Sequence, residues 1–198
     1  MLYFLIHFIF SNFAFYYVNY DYVKYLHSHD SCVCFKGGAE HYFEDCYRAY
    51  LGIFISPTGY TYLIPLTSIK NYFKSFKEFD YEHGIILIYQ LFTRTIRHPQ
   101  RMYRDLLDGR ILEIFGALRV LNMIPVKTGL YHRISITEYV HDFSRIRLAN
   151  EYNCLKPFKD AILDMVNTIY SNQKTTGKIL THGCNFSILE KACDEYEV

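Results

Sequence analysis

A chain of 198 residues, half of them hydrophobic, suffices for one domain with a sizeable core, and a formal net charge of +1 excludes a uniformly basic, nucleic-acid-coating protein. The six Cys include no C-x-x-C pair, which argues against a zinc knuckle, and at this length against a disulfide scaffold. Reduced cytoplasmic thiols fit best, with Cys46 and Cys184 as core residues.

The first ten residues, Met1 to Phe10, are apolar but too short to span a bilayer. They lack the positive start and small-residue cleavage site of a signal peptide. Residues 1–12 therefore read as an apolar extension, consistent with an upstream start, and 13–198 as a single domain. Ala14 to Asn19 predicts a strand, and Asp21 an N-cap for a short helix from Tyr22 to His27. Ser28 to Glu44, with Gly37-Gly38, reads as a loop, and the spacing of His27, His29 and His41 matches no metal motif. Two apolar runs, 48–55 and 60–66, flank the turn residues Ser56-Pro57-Thr58-Gly59, so they predict a hairpin. Pro65 places the end of the second strand at a sheet edge or rim. There the strand stops in a Thr67-Ser68-Ile69-Lys70 corner.

After the corner, Phe73, Phe76 and Phe79 at three-residue spacing predict a short helix or turn with Lys74 and Lys77 outward. Ile85 to Tyr89 is a buried strand. Arg94, Arg97, Arg101, Arg104 and Arg110 form a basic segment whose conformation periodicity does not decide. From Arg94 to Arg133 eight Arg and Lys face three Asp and Glu, which is either a solvated face or an anion-binding stripe. Further strands are expected at 111–115 and 118–121, and a strand end at Met123 to Val126. The period then changes. Ser135-x-x-Glu138 is a capping box, followed by Tyr139, Phe143 and Ile146 at helical spacing. Pro157 opens a helix with Phe158, Ile162, Met165, Val166 and Ile169 on one face. Ser171 to Lys178 reads as a polar connection, and Asn185 starts a last helix. Strands first and helices in the C-terminal third make an α+β domain with flanking helices.

The corner is the candidate site. Thr67 and Ser68 offer two hydroxyls and Lys70 a fixed positive charge, a set suited to a phosphate or an oxyanion. Arg48 on the partner strand is expected roughly level with Lys70. Two cations across a phosphate stabilise the charge that develops when an RNA 2′-hydroxyl attacks it, and that reaction requires orientation, charge and a base but no metal or cofactor. Tyr62 and His83 are candidates for the base; a loop histidine is the commoner reading of His83.

Four blocks in order resemble the ToxN/AbiQ-type toxins of type III toxin–antitoxin systems. They are Phe15-Tyr16-x-Val18 with Tyr22-Val23-x-Tyr25-Leu26; Tyr50-Leu51-Gly52-Ile53 with Tyr62-Leu63-x-Pro65-Leu66-Thr67-Ser68-x-Lys70; Leu121-Asn122-Met123-Ile124-Pro125-Val126; and Cys184-Asn185-Phe186-x-x-Leu189-Glu190. The resemblance implies a twisted antiparallel sheet similar to the Kid/MazF barrel, and Thr67, Ser68, Lys70 and Arg48 in the active site. Tyr62, Lys74, Lys77, Arg94, Arg97 and Arg101 are the expected RNA-binding residues. It further implies metal-independent endoribonuclease activity leaving a 2′,3′-cyclic phosphate and a 5′-hydroxyl on cellular or phage mRNA. The implied inhibitor is a small tandem-repeat antitoxin RNA, bound in a closed RNA–protein assembly with no membrane involved, in abortive infection or plasmid maintenance. The helix near 136–150 departs from the family's Leu-Leu-x-x-Gln pattern, and 88–110 does not align. Two other readings compete. A non-catalytic RNA-binding module would need the cations and tyrosines but not the hydroxyl pair. A Ser-x-x-Lys acyl-transfer enzyme would need its nucleophile at a helix start, whereas here it follows a strand.

Overall fold

The structure is a computed structural model in which residues 13–35, 46–68, 70–94, 102–135 and 143–197 are described. Their strands are β1 (Ala14–Asn19), β2 (Cys46–Ile55), β3 (Thr61–Ser68), β4 (Phe79–Asp80), β5 (Ile85–Leu91), β6 (Met102–Asp105), β7 (Ile111–Arg119), β8 (Ile124–Val126) and β9 (Tyr131–Arg133). The helices are α1 (Tyr20–His29), α2 (Phe143–Leu155), α3 (Lys159–Thr176) and α4 (Phe186–Glu195). The strands form one antiparallel sheet in the order β4-β5-β7-β3-β2-β1-β9, with β6 also on β7 and β8 also on β3.

The expected barrel does not close. Among the described residues the sheet is an open strip whose two ends, β4 and β9, are strands of two and three residues. Edges that short offer few free backbone groups for a closing ladder.

Strand β3 is the hinge of the sheet. On one side it pairs with β2 from Ile55↔Thr61 to Tyr50↔Pro65. On the other its first residues, Thr61 to Leu63, pair with β8 and its last, Leu66 to Ser68, pair with β7. Pro65 lies between those two partners, buried in a central strand rather than at an edge. A residue without an N–H is tolerated there because neither β8 nor β7 reaches that position. The expected break between two strands at 115 and 118 is absent, since β7 runs unbroken through Gly116.

The helices cover one face of the strip. In α3 the predicted stripe Ile162, Met165, Val166 and Ile169 is buried, and in α4 Phe186, Leu189, Ala192 and Cys193 are. Each fully buried aliphatic or aromatic side chain contributes roughly 1.5–3 kcal/mol. Helix α1 starts earlier than Asp21 predicts: Asn19 is the N-cap, its side chain accepting from the Tyr22 N–H at 3.0 Å. Helix α3 continues through the polar stretch expected to be a connection. Gln173 is buried there, donating from Nε2 to the Cys184 carbonyl at 2.9 Å and accepting from the Phe186 N–H at 2.7 Å. The helix stops at Gly177, which takes the left-handed conformation at φ 69°. The capping box at Ser135 to Glu138 runs into residues outside those described, and the helix after it is described over Phe143–Leu155.

A second, smaller core lies on the opposite face beneath β5, β6 and β7, built from Phe73, Ile85, Leu87, Met102, Ile114 and Ala117. Phe73 comes from a 3-10 turn, Asn71–Ser75, that follows β3 directly. Its burial ties down the segment carrying Lys70.

Candidate active site at the end of strand β3

Thr67 and Ser68 belong to β3 itself, opposite Ala117 and Gly116 of β7. Successive residues of a strand point to opposite faces, so the two hydroxyls leave the sheet on different sides. Thr67 is half-buried and Ser68 exposed. Ser68 shares its face with Tyr62, whose ring lies against Phe186 of α4, so it is on the helix-covered side, beyond the core. Lys70 follows in extended conformation with its side chain exposed. Its carbonyl accepts from the Phe73 N–H at 2.9 Å, which anchors the backbone while leaving the ammonium free to reach outward.

Arg48 is not level with Lys70. Continuing the β2–β3 register from Tyr50↔Pro65 by two residues on each strand brings Arg48 opposite Thr67. A bulge between Gly52 and Phe54 contributes one residue of that displacement. Arg48 and Thr67 thus share one face at the strand end and Ser68 occupies the other, with Lys70 just past the end.

Gly116 is required here for close approach. A Cβ at that position would lie 2.6 Å from the Thr67 carbonyl oxygen, closer than side chains are found. The same hypothetical Cβ lies 3.7 Å from Oε1 of Glu151 on α2. Glu151 is buried and accepts from Arg147 Nε at 2.8 Å. Its carboxyl is pushed above the ordinary carboxylate range by desolvation, opposed by the charge and hydrogen bond of Arg147. Sequence reasoning missed both residues. The Arg-x-x-x-Glu spacing was the only signal, and it is common on exposed helix faces.

Other expected residues separate. Tyr62 is wholly buried and donates from its hydroxyl to Glu190 at 2.9 Å; Tyr170 donates to the same carboxylate oxygen at 2.7 Å and Lys174 to the other at 2.7 Å. Burial, then the charge of Glu190, raises the Tyr62 phenol far above its usual value. Tyr62 is therefore a core residue, out of reach of RNA and unsuited as a base. His83 is a turn residue, its Nδ1 2.9 Å from Asp80 and its ring stacked on Phe76. Lys74, Lys77 and Arg94 are exposed, while Arg97 and Arg101 lie outside the described residues. The rest of the expected basic stripe is partly neutralised: Arg104 donates to the Phe76 carbonyl and to Glu78, and Arg110 pairs with Asp108 at 2.6 Å. On the helix-covered side a cleft of about 690 Å³ is lined by Tyr89, Gln90, Leu91, Arg110, Asn150 and Asn153, among others. Among the described residues no three His, Cys, Asp or Glu side chains converge as a metal site, and no helix is long and apolar enough to cross a membrane.

Residues 14–194 match the family model described as Toxin ToxN, type III toxin–antitoxin system. The chain belongs to the ToxN family. A curated relative, Endoribonuclease ToxN of Bacillus thuringiensis subsp. kurstaki, is 26% identical over 197 residues, covering 94% of this chain and 86% of that protein. Among solved structures, a bacterial type III system in which a non-coding RNA pseudoknot selectively inhibits the toxin matches with a TM-score of 0.67 and 25% identity, over 92% of this chain and 96% of that one. A structure from a bacterial antiviral system regulated by a processed non-coding RNA matches with the same TM-score at 20% identity, over 93% and 99% of the two chains. AbiQ, a lactococcal anti-phage endoribonuclease, matches at 0.64 and 18%, over 91% and 95%. The last two establish the fold they share with this ToxN-family chain.

Proposed function

We propose that residues 13–198 form a toxin that cleaves RNA by transesterification, acts in the cytoplasm, and is held inactive by an antitoxin RNA. The reading rests on one observation: two hydroxyls and two cations gather around the last residues of a central strand, Thr67 and Arg48 on one face, Ser68 on the other and Lys70 at the tip. It is supported by membership of a toxin family whose curated relative is named an endoribonuclease.

Lys70 and Arg48 neutralise the phosphate as negative charge builds on its oxygens, and Thr67 and Ser68 orient it by donating hydrogen bonds. The RNA supplies its own nucleophile. The 2′-oxygen–phosphorus bond forms as the phosphorus–5′-oxygen bond breaks. Net, one proton leaves the 2′-hydroxyl and one joins the 5′-oxygen by way of solvent. The products are a 2′,3′-cyclic phosphate and a 5′-hydroxyl. Preorganised donors of this kind each accelerate such reactions by about 10² to 10³. The cleft beside α2 has room for a flanking nucleotide, with Tyr89 to stack on a base and the amides of Gln90, Asn150 and Asn153 to read its edge. A repeated antitoxin RNA occupying the same groove blocks the site and links toxins into a closed assembly, released during phage infection or on plasmid loss.

The test is to incubate wild type and Ser68→Ala with mixed RNA in EDTA and to analyse the ends. Cleavage to 2′,3′-cyclic phosphates by wild type alone is expected. Intact RNA with wild type, or equal cleavage by Ser68→Ala, rejects the proposal. Tight binding without cleavage would mark a binding module instead.

A further inference from the structure

The strand-end site has one cation, Arg48, on the Thr67 face and another, Lys70, past the strand end. Helix α2 crosses the face from which Ser68 projects. At one side of the strip its Tyr152 ring packs on Phe13 and Phe15, with ring centroids 5.4 and 5.9 Å apart, and its hydroxyl donates to the Phe13 carbonyl at 3.1 Å. At the other side the helix packs on β5. Between these contacts it passes over Gly116 of β7.

Glu151 sits on that passage, and Arg147 is one turn before it on the same helix. Glu151 Oε1 is 3.7 Å from the Cβ that Gly116 lacks, and Gly116 is the cross-strand partner of Ser68. Paired residues have Cβ atoms about 4.5–5.5 Å apart on the same face. The carboxylate is therefore within about 9 Å of the Ser68 Cβ. Arg147 is bound to it through Nε alone, and the two residues differ sharply in exposure: 49% for the Arg147 side chain and 3% for Glu151. Among the described residues nothing else receives a hydrogen bond from this guanidinium. Its two terminal nitrogens thus carry no other hydrogen bond among the described residues, on a side chain that is half exposed. A guanidinium tied at Nε by a buried carboxylate presents a planar pair of donors, the geometry that matches two phosphate oxygens.

Stability alone accounts poorly for the pair. An exposed i,i+4 ion pair contributes about 0.3–0.5 kcal/mol, and a desolvated carboxylate is unfavourable unless well compensated. The other ionisable groups near Glu151 do not compensate it: Cys154 lies on its own helix, and Glu113 of β7 is buried, accepting from Gln90 Nε2 at 2.9 Å. A cation used for binding explains the arrangement.

We propose that Arg147 is a catalytic residue of the strand-end site, clamping the scissile phosphate on the face from which Ser68 projects, and that Glu151 is the residue that positions it. This rests on the nuclease reading above. As the 2′-oxygen–phosphorus bond forms and the phosphorus–5′-oxygen bond breaks, the guanidinium holds two non-bridging oxygens and takes no proton.

The experiment compares full-length wild type, Arg147→Ala, Arg147→Lys and the paired Arg147→Gln/Glu151→Gln in single-turnover cleavage of mixed RNA. RNA affinity is followed through a salt series in a Ser68→Ala background, where cleavage does not interfere. The paired variant leaves no buried charge unpartnered and covers the case in which Arg147→Ala fails to fold. Arg147→Ala or the paired variant is expected to lose about a hundredfold in rate, with Arg147→Lys between them and wild type. The slope of log affinity against log salt is expected to fall by about 0.7, the value for one phosphate contact on a single strand. A loss below tenfold, or an unchanged slope, overturns the proposal; the unchanged slope would mark a structural pair. Wild type that leaves RNA intact instead defeats the nuclease reading, and the salt slope still decides whether Arg147 grips phosphate.

Discussion

The two ends of strand β3 carry similar chemistry in opposite settings. At the first end, Tyr62 is sealed under α3 and α4, and its hydroxyl joins Tyr170 and Lys174 on the carboxylate of Glu190. Every polar group there has its partner within the protein. At the last end, Ser68 and Lys70 face solvent beyond the edge of the same core. A polar cluster satisfied internally holds the fold and has nothing left to offer a ligand. One left open at the margin of the core sacrifices that stability and gains a place for an anion. Six residues of one strand separate the two outcomes.

The contrast can be broken most directly at Lys70. Lys70→Ala should lower RNA cleavage by about 10² or more, as loss of a charge-stabilising group does, while thermal unfolding stays close to wild type because the side chain is exposed. An equal drop in unfolding temperature would place Lys70 with the structural cluster. Gly116→Ala should lower stability and cleavage together, by disturbing the last end of the strand. Its Cβ would meet the Thr67 carbonyl at 2.6 Å, and overpacking of this kind costs about 1–3 kcal/mol. Urea unfolding and cleavage measured on the same preparation would show it, and unaltered values for both would mean that β7 can shift away from β3. Tyr62→Phe should be the reverse of Lys70→Ala. It removes one bond to Glu190, lowering stability by about 1–2 kcal/mol, with the cleavage rate per folded molecule preserved. A selective loss of cleavage would return Tyr62 to the site.

The smallest effect is expected from Glu151→Gln, read against pH. Desolvation raises the folded carboxyl above its unfolded value, so the folded state holds the proton more tightly. The stability this contributes is full below the ordinary carboxylate range and is lost as pH rises through the raised value. Glutamine keeps an oxygen for Arg147 and cannot ionise. Its variant should therefore match wild type in acid and unfold at a slightly higher temperature near neutrality; parallel curves would show that burial does not govern this group.

Much of the scaffold is legible from local pattern. The strand at Ala14 to Asn19, the hairpin about Ser56 to Gly59, the strand from Ile85, the buried stripe of α3 and the Asn185 cap all follow from periodicity and turn chemistry within a few residues. The errors are equally instructive. Pro65 reads as an edge residue because its missing N–H matters only where a partner strand needs it, and the sequence does not show that β8 ends and β7 begins on either side. Gly116 reads as a strand break, although its bare Cα is what admits the Thr67 carbonyl. Arg104 reads as part of a basic stripe until Glu78 and the Phe76 carbonyl, more than twenty residues away, take its donors.

Composition, periodicity and the Thr67-Ser68-x-Lys70 string were enough to establish an α+β chain and to single out one polar strand end, because alternation and turn preference act over neighbouring residues. Which hydroxyl lies on which face, that Arg48 falls opposite Thr67 rather than Lys70, and that the Arg147–Glu151 pair lies beside Gly116 follow from register and from the path of α2 across the sheet. Those depend on pairings between segments tens of residues apart, whose energy lies in the assembled core and not in any short stretch of chain.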